Sequence, residues 1–247
     1  MIFKRRQKAN EFAEKIVVSE KTLLDTSNGY NRLRDNILFI NADGDKKVIQ
    51  IGSAVAKEGK TTVACNLAVS LGLTDKKVVV VDLDFRKPKV HRRFEEGIEN
   101  GIAEYVLGSI TEKELIKKTK YVNVDIITRG EKIYNSSLVL LSQKFTDLIA
   151  KLKKDYDYVI LDCAPVLQVS DYIHIGRVSD GMLFVVAHEQ TTKGMVKDAV
   201  KDLTNNGIKL LGTVFSMYDP KTSGTKYYGY YNKYRYYSNY YEENKDK

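Results

Sequence analysis

The stretch that decides the fold runs from Ile49 to Thr62 and reads Ile-Gln-Ile-Gly-Ser-Ala-Val-Ala-Lys-Glu-Gly-Lys-Thr-Thr. An apolar segment of strand length leads into a loop that ends in Gly-Lys-Thr-Thr, and a helical stretch follows. Such a loop surrounds a phosphate with backbone N–H groups and a helix N-terminus. Lys60 would reach the β and γ phosphates, and the Thr61 hydroxyl would coordinate Mg²⁺. The stretch predicts a P-loop, although Ala54 replaces the first glycine of the pattern.

Two further apolar runs end in acidic residues. One reads Val-Val-Val-Val-Asp82-Leu-Asp84-Phe-Arg86, and the other reads Tyr-Val-Ile-Leu-Asp162. Because residues i and i+2 of a strand share a face, Asp82 and Asp84 can converge where the strand ends. Ligands of open α/β sheets bind at this edge. An aspartate at a strand end is also a common turn or cap residue, so each run alone has a structural alternative.

Short apolar runs alternate with helical stretches from residue 47 onward. The runs are almost uninterrupted Val, Ile and Leu, which is typical of parallel strands covered on both faces. We therefore predict an α/β fold of the P-loop NTPase type, a doubly wound and mainly parallel sheet with helices on both faces. The predicted strands are 48–53, 77–82, 124–128, 158–162, 181–187 and 210–216. The predicted helices are 61–73, 137–154, 193–206 and one that begins at the capping-box spacing of Thr111 and Glu114.

The chain divides by composition into one domain and a tail. Residues 1–222 are predicted to form a single domain that includes an N-terminal helical segment over residues 10–41. Residues 223–247 lack the aliphatic residues needed to offset the entropy of ordering, and we predict that this tail is disordered. Nine tyrosines fall within fifteen positions of the tail: Tyr227, Tyr228, Tyr230, Tyr231, Tyr234, Tyr236, Tyr237, Tyr240 and Tyr241.

Composition excludes several other classes of protein. The 247 residues are 43% hydrophobic, which is enough for a sizeable core, and no apolar run has the length of a membrane span. The basic start, Lys4-Arg5-Arg6, has no apolar segment after it, so we predict no secretory signal and a cytoplasmic location. The same basic residues would favour a weak association with an anionic membrane. Cys65 and Cys163 are predicted to be reduced core thiols.

About residues 19–241 resemble the bacterial tyrosine kinases, in particular the stand-alone cytoplasmic kinase subunits of capsular and exopolysaccharide systems. Three motifs of that family occur in order and at the family's spacing. They are the Walker A loop at 53–62, the Walker A′ motif from Asp82 to Arg86, and the Walker B residue Asp162. The tyrosine-rich tail is a fourth shared feature.

The resemblance implies an ATP-dependent protein-tyrosine autokinase that regulates polysaccharide polymerisation and export. Asp82 or Asp84 would orient or deprotonate the incoming tyrosine hydroxyl, and Lys60 would act with them in phosphoryl transfer. The implied Mg²⁺ ligands are Thr61, Asp82 and Asp162. The implied ATP-binding residues are Ser53, Lys57, Glu58, Gly59, Lys60, Thr61, Thr62 and Arg86. The nine tail tyrosines would be the phosphate acceptors.

The resemblance also implies partners. Relatives without a transmembrane segment are activated by a membrane-embedded polysaccharide co-polymerase that controls chain length. The same is expected here, and it would hold the kinase at the inner face of the cell membrane. Further implied partners are other copies of the chain, which exchange phosphate in trans, and a cognate tyrosine phosphatase. No nucleic-acid partner is expected.

Three alternatives remain open from the sequence. An ATPase of the MinD and ParA type shares the strand-terminal aspartates, but its signature lysine would fall on Val55. An ATP-binding pseudokinase scaffold is favoured by the altered loop, which has Ala56-Lys57 where relatives have Pro-Gly. A non-catalytic module could bind nucleic acid through the Lys, Arg and Tyr side chains of the tail.

Overall fold

The computed structural model describes residues 16–18 and 25–218. Its centre is one seven-stranded sheet in the order β3-β4-β2-β5-β1-β6-β7. Every neighbouring pair is parallel except β3 and β4, which are antiparallel. The strands are β1 Val48–Ser53, β2 Val78–Leu83, β3 Lys117–Lys118, β4 Val124–Ile127, β5 Tyr158–Cys163, β6 Gly181–Ala187 and β7 Leu210–Ser216.

Helices connect the strands and cover both faces of the sheet. Within the described ranges they are α1 Asp25–Ile40, α2 Lys60–Gly72, α3 Val90–Phe94, α4 Ile102–Leu107, α5 Glu112–Leu115, α6 Ser136–Leu140, α7 Gln143–Asp155, α8 Asp171–Gly176 and α9 Lys193–Asn205. The predicted α/β class and parallel sheet are confirmed.

Alternate residues of the central strands enter two separate cores. Val78 and Val80 of β2 pack in one core with helices α1, α2 and α3, whereas Val79 and Val81 pack in the other with helices α4 to α8. Helix α9 covers the outer strand β6 through a smaller cluster that includes Phe184. Burial on both faces explains why the strands read as unbroken aliphatic runs.

All six predicted strands occur, with ends that agree to within one residue. The short strand β3 was not predicted, because its two lysines carry no apolar signal and it forms by pairing with Ile126 and Asp125. The helix expected after Thr111 is present as α5, and the Glu114 side chain accepts a hydrogen bond from the Thr111 N–H.

Two helix predictions need correction. Residues 137–154 form two helices, because Ser142 stops the first and caps the second by accepting a hydrogen bond from the Phe145 N–H. The segment predicted as one helix over 10–41 is helical from Asp25 to Ile40. Residues 16–18 are not helical, and the N–H groups of Val17 and Val18 donate to Asn66 of α2.

Several expectations concern residues outside the described ranges, namely the basic N-terminal run, residues 19–24 and the tyrosine tail. Both cysteines are free and buried, as predicted. Among residues 16–18 and 25–218, no helix combines the length and the apolar character that crossing a membrane requires.

Candidate active site

The strand order brings the three sequence motifs to one edge of the sheet. Strand β5 lies between β1, which leads into the P-loop, and β2, which ends near Asp82. Asp82 and Asp162 are direct register partners across β2 and β5. Asp162 therefore lies at the centre of the edge, with the P-loop on one side and a second carboxylate on the other.

The P-loop ends at Gly59, which precedes helix α2. Gly59 has φ of 91°, in the left-handed region that favours glycine, and its carbonyl accepts the hydrogen bond from the Val63 N–H that starts the helix. Lys60 follows as the first helical residue, and its side chain is buried. The N–H groups of this first turn have no partner within the helix, so they are available to an anion.

Thr61 and Asp162 form a contact between the start of helix α2 and the end of strand β5. The Thr61 hydroxyl donates to Oδ2 of Asp162 over 2.6 Å. Oδ1 of Asp162 is buried and has no hydrogen-bond partner. Burial raises the pKa of Asp162 to about 6, although the Lys60 charge and the Thr61 hydrogen bond act in the opposite direction. A divalent cation fits this place, because it would satisfy the unpaired oxygen and favour the ionised carboxylate.

Asp82 is fully buried, and both of its carboxylate oxygens accept backbone hydrogen bonds. Oδ1 accepts from the Asp84 N–H, and Oδ2 accepts from the N–H groups of Lys89 and Val90. Burial, followed by repulsion from Asp162, raises the pKa of Asp82 well above its ordinary value. Because its oxygens accept from these backbone N–H groups, the Asp82 side chain holds the loop after β2 and the start of α3 in place.

Asp84 and Arg86 lie in the loop that Asp82 shapes. Asp84 is only partly buried, and its Oδ1 accepts from the N–H groups of Arg86 and Lys87. The Arg86 side chain is exposed. Of the two carboxylates predicted to act on a substrate hydroxyl, Asp84 is therefore the one that solvent and substrate can reach.

The remaining predicted phosphate-binding residues of the P-loop differ in their exposure to solvent. Lys57 is exposed, whereas Ser53 and Glu58 are buried. The Ser53 hydroxyl donates to the Val55 carbonyl over 2.7 Å, so this side chain serves the shape of the loop. Oε2 of Glu58 accepts a hydrogen bond from the Val55 N–H over 2.6 Å, so this side chain also serves the shape of the loop. Phosphate contacts of these residues would have to use backbone N–H groups.

Two side-chain contacts near the site were not predicted. Arg93 of α3 donates from Nη2 to the Thr62 hydroxyl over 3.3 Å, and its charge lowers the pKa of Asp162. Ser216 at the end of β7 donates to the Glu58 carbonyl over 2.6 Å. Arg93 belongs to no motif, and Ser216 lies more than 150 positions from Glu58, so only the fold reveals either contact.

Comparisons with known proteins show to which family the chain belongs. The family model described as AAA domain matches residues 46–209. The putative tyrosine-protein kinase CapB of Staphylococcus aureus is 30% identical over 87% of this chain and 94% of its own length. The tyrosine-protein kinase YwqD of Bacillus subtilis is 31% identical over 92% of this chain and 95% of its own length. The chain belongs to the bacterial tyrosine kinases.

Solved structures support the same family for this kinase. The chimerical protein CapA2B2 superposes with a TM-score of 0.77 at 31% identity, covering 81% of this kinase and 88% of that chain. The cell division ATPase MinD of Pyrococcus furiosus reaches only 0.58 at 26% identity, covering 68% of this kinase and 71% of that chain. The likeness to the MinD type is therefore distant.

Proposed function

We propose that this protein is an ATP-dependent protein-tyrosine autokinase that regulates capsular or exopolysaccharide polymerisation and export. The main support for this proposal is the buried Oδ1 of Asp162, which has no hydrogen-bond partner and belongs to the carboxylate that binds the Thr61 hydroxyl near the buried Lys60. These groups match what phosphoryl transfer needs, which is positioning of the phosphates and neutralisation of their charge. Membership of the tyrosine kinases gives the site its reaction.

The P-loop N–H groups and Lys60 would hold the ATP phosphates, with Thr62 in the same first helical turn. The Thr61 hydroxyl and the Asp162 carboxylate would hold Mg²⁺. Bound Mg²⁺ would neutralise charge on the phosphoryl oxygens. Lys60, Thr61 and Asp162 are already in mutual contact or electrostatic reach before nucleotide binds, which reduces the reorganisation needed for catalysis.

Asp84 would orient the tyrosine hydroxyl of the substrate and accept its proton. Its partial exposure and its place at the sheet edge support this role, whereas the oxygens of Asp82 already accept three backbone N–H groups. Asp82 would hold the loop that carries Asp84 and also add negative charge beside the Mg²⁺ site. Arg86, exposed on the same loop, would contact the nucleotide from outside.

The assignment is tested by incubating purified protein with ATP and Mg²⁺ and detecting phosphotyrosine. Lys60→Met should abolish the signal, because it removes a positive charge from the phosphates and keeps a side chain of similar length. Circular dichroism should show that the variant remains folded. A phosphotyrosine signal from the folded variant at the wild-type level would refute the role of Lys60. Nucleotide binding without any signal from the wild type would favour the pseudokinase scaffold.

The nine tail tyrosines are the proposed acceptors. Residues 221–247 contain six Lys and Arg and three Asp and Glu, a net charge of +3 from 6 − 3. Each phosphotyrosine adds about −1.5 to −2 charges at neutral pH, so three or four phosphates would reverse the sign of the tail. Copies that exchange phosphate in trans would then repel one another and separate.

Replacing the tyrosines from Tyr227 to Tyr241 with Phe preserves the aromatic rings and removes the hydroxyl groups. We expect this variant to lose most phosphotyrosine and any ATP-dependent change in assembly size, measured by immunoblot and light scattering. Wild-type levels of both in the variant would show that the acceptors lie elsewhere.

The proposed partners are a membrane-embedded polysaccharide co-polymerase that activates the kinase, further copies of the chain, and a cognate tyrosine phosphatase. The partner would keep the kinase in the cytoplasm at the inner face of the cell membrane. The names of two relatives support this proposal, since the superposed structure is the chimerical protein CapA2B2 and a Klebsiella pneumoniae relative is named a putative tyrosine-protein kinase in cps region.

A further inference from the structure

The Glu58 side chain is fully buried beneath the P-loop, where the phosphate-binding role does not use it. Its Oε2 accepts from the Val55 N–H over 2.6 Å. Its Oε1 accepts from the Ala187 N–H over 3.3 Å and from the Thr191 hydroxyl. One carboxylate therefore ties the first half of the P-loop to the end of β6 and to the residues that lead into α9.

Two further hydrogen bonds fasten the loop to the same side of the molecule. The Gln190 side chain donates to the Ala56 carbonyl over 3.0 Å. The Ser216 hydroxyl donates to the Glu58 carbonyl over 2.6 Å. The P-loop is thus held by residues 187–191, which we name the β6–α9 segment, and by the end of β7.

The sequence of this P-loop makes such a tie necessary. Lys57 has φ of 68°, a left-handed conformation that is unfavourable for a residue with a side chain. The first glycine of the P-loop pattern is replaced by Ala54. Strained backbone of this kind persists only where its surroundings hold it in place. Glu58 follows Lys57 directly and supplies the buried anchor.

We infer that Glu58 is a positioning residue for nucleotide binding, whose carboxylate holds the P-loop in its phosphate-binding shape through Val55 and Thr191. The inference rests on the proposed ATP binding and adds the β6–α9 segment as an element that sets nucleotide affinity. All three partners of the carboxylate act as donors, so two accepting oxygens are required. An amide at this position would direct an NH₂ group at one of those donors.

Glu58→Gln is the decisive variant, and Glu189→Gln is its matched control. Glu189 lies in the β6–α9 segment with an exposed side chain, so the control removes the same charge without removing the tie. We expect Glu58→Gln to raise the dissociation constant of a fluorescent ATP analogue with Mg²⁺ about tenfold, or about 1.4 kcal/mol. The control should bind like the wild type.

Thr191 tests the other end of the same hydrogen bond with little risk to folding, because its side chain is only partly buried. Thr191→Val should weaken nucleotide binding about threefold, and Thr191→Ser, which keeps the hydroxyl, should restore it. Combined with Glu58→Gln, Thr191→Val should add less than its own threefold loss, because both variants disturb the contacts of the same side chain.

Three outcomes would overturn the inference. They are equal affinities of Glu58→Gln and Glu189→Gln, independent losses in the double variant, and wild-type affinity of Thr191→Val. The last outcome decides the question even if Glu58→Gln does not fold. Failure of the wild-type protein to bind the analogue would instead reject the proposed function.

Discussion

Asp82 and Asp162 occupy the same level of neighbouring strands, yet their side chains have opposite hydrogen-bonding situations. Both are completely buried and are register partners on the neighbouring strands β2 and β5. Asp82 accepts three backbone N–H groups from the loop that follows it. Asp162 accepts one hydroxyl and keeps one oxygen unpaired. Equivalent positions in a sheet can therefore serve different tasks, one building a loop and the other leaving an oxygen available to a ligand.

The same contrast extends to electrostatics. Burial raises the pKa of both carboxyl groups, and their proximity raises that of Asp82 further. For Asp82 the opposing influence is the set of backbone hydrogen bonds. For Asp162 it is the charge of Lys60 together with the Thr61 hydroxyl, and both belong to the proposed phosphate-binding site. Asp162 thus depends on the active site for its ionisation, whereas Asp82 depends on the loop.

Of the substitutions that distinguish Asp162 from Asp82, Asp162→Asn should have the largest effect on activity. We expect autophosphorylation to fall by at least about a hundredfold, the scale associated with loss of a group that positions a catalytic metal. Thermal stability in metal-free buffer should not fall, because the amide oxygen can still accept from Thr61 and a buried charge is removed. Kinetic assays and thermal unfolding would check both parts. Activity near the wild-type level would show that Asp162 is structural.

Asp82→Asn, unlike Asp162→Asn, should lower the stability of the protein. The amide NH₂ would face at least one of the backbone N–H groups that now donate to the carboxylate, at a cost of about 1–3 kcal/mol in the free energy of unfolding. Chemical denaturation measures this loss. A stability equal to that of the Asp162→Asn protein would mean that the loop does not rely on Asp82.

Acidification should weaken Mg²⁺-dependent nucleotide binding, and this effect should be smaller than the loss of activity in Asp162→Asn. The metal-free protein has a pKa of about 6 at Asp162, above its ordinary 3.8, so folding favours the protonated form. Stability from this group is therefore present at low pH and is lost as the pH rises through about 6. Mg²⁺ needs the ionised form, of which about one tenth remains at pH 5.

The affinity for ADP with Mg²⁺ should accordingly fall about tenfold between pH 7.5 and pH 5. Calorimetric titrations would measure this change, with a correction for the protonation of free nucleotide at each pH. A corrected affinity that does not vary with pH would contradict the raised pKa of Asp162.

Most of the fold could be predicted from the sequence, because strands buried on both faces leave continuous Val, Ile and Leu runs. The six predicted strands are those that such burial produces. The two lysines of β3 were missed because pairing with β4, rather than their own preference, makes them a strand. The break at Ser142 was missed because the apolar pattern continues across it, and a single side-chain cap decides where the second helix starts.

The site was predictable in its residue types and not in its connections. Motif spacing identified the P-loop and the aspartates, since backbone geometry fixes where those residues lie relative to a strand end. It could not show that Asp82 faces the backbone while Asp84 stays accessible. The contacts of Glu58 with Thr191 and Ser216 join segments more than 130 positions apart, so no local pattern contains them.

The juxtaposition of Asp82 and Asp162 also bears on how this protein can evolve. Two neighbouring buried carboxylates lower the free energy of unfolding in the absence of a bound cation. Selection for function therefore keeps them although they destabilise the fold. A protein lineage that is no longer selected for catalysis can lose the charge at Asp162 in one substitution and keep a stable fold. Inactive descendants that retain the fold should therefore arise readily, with the change at β5 as their common first step.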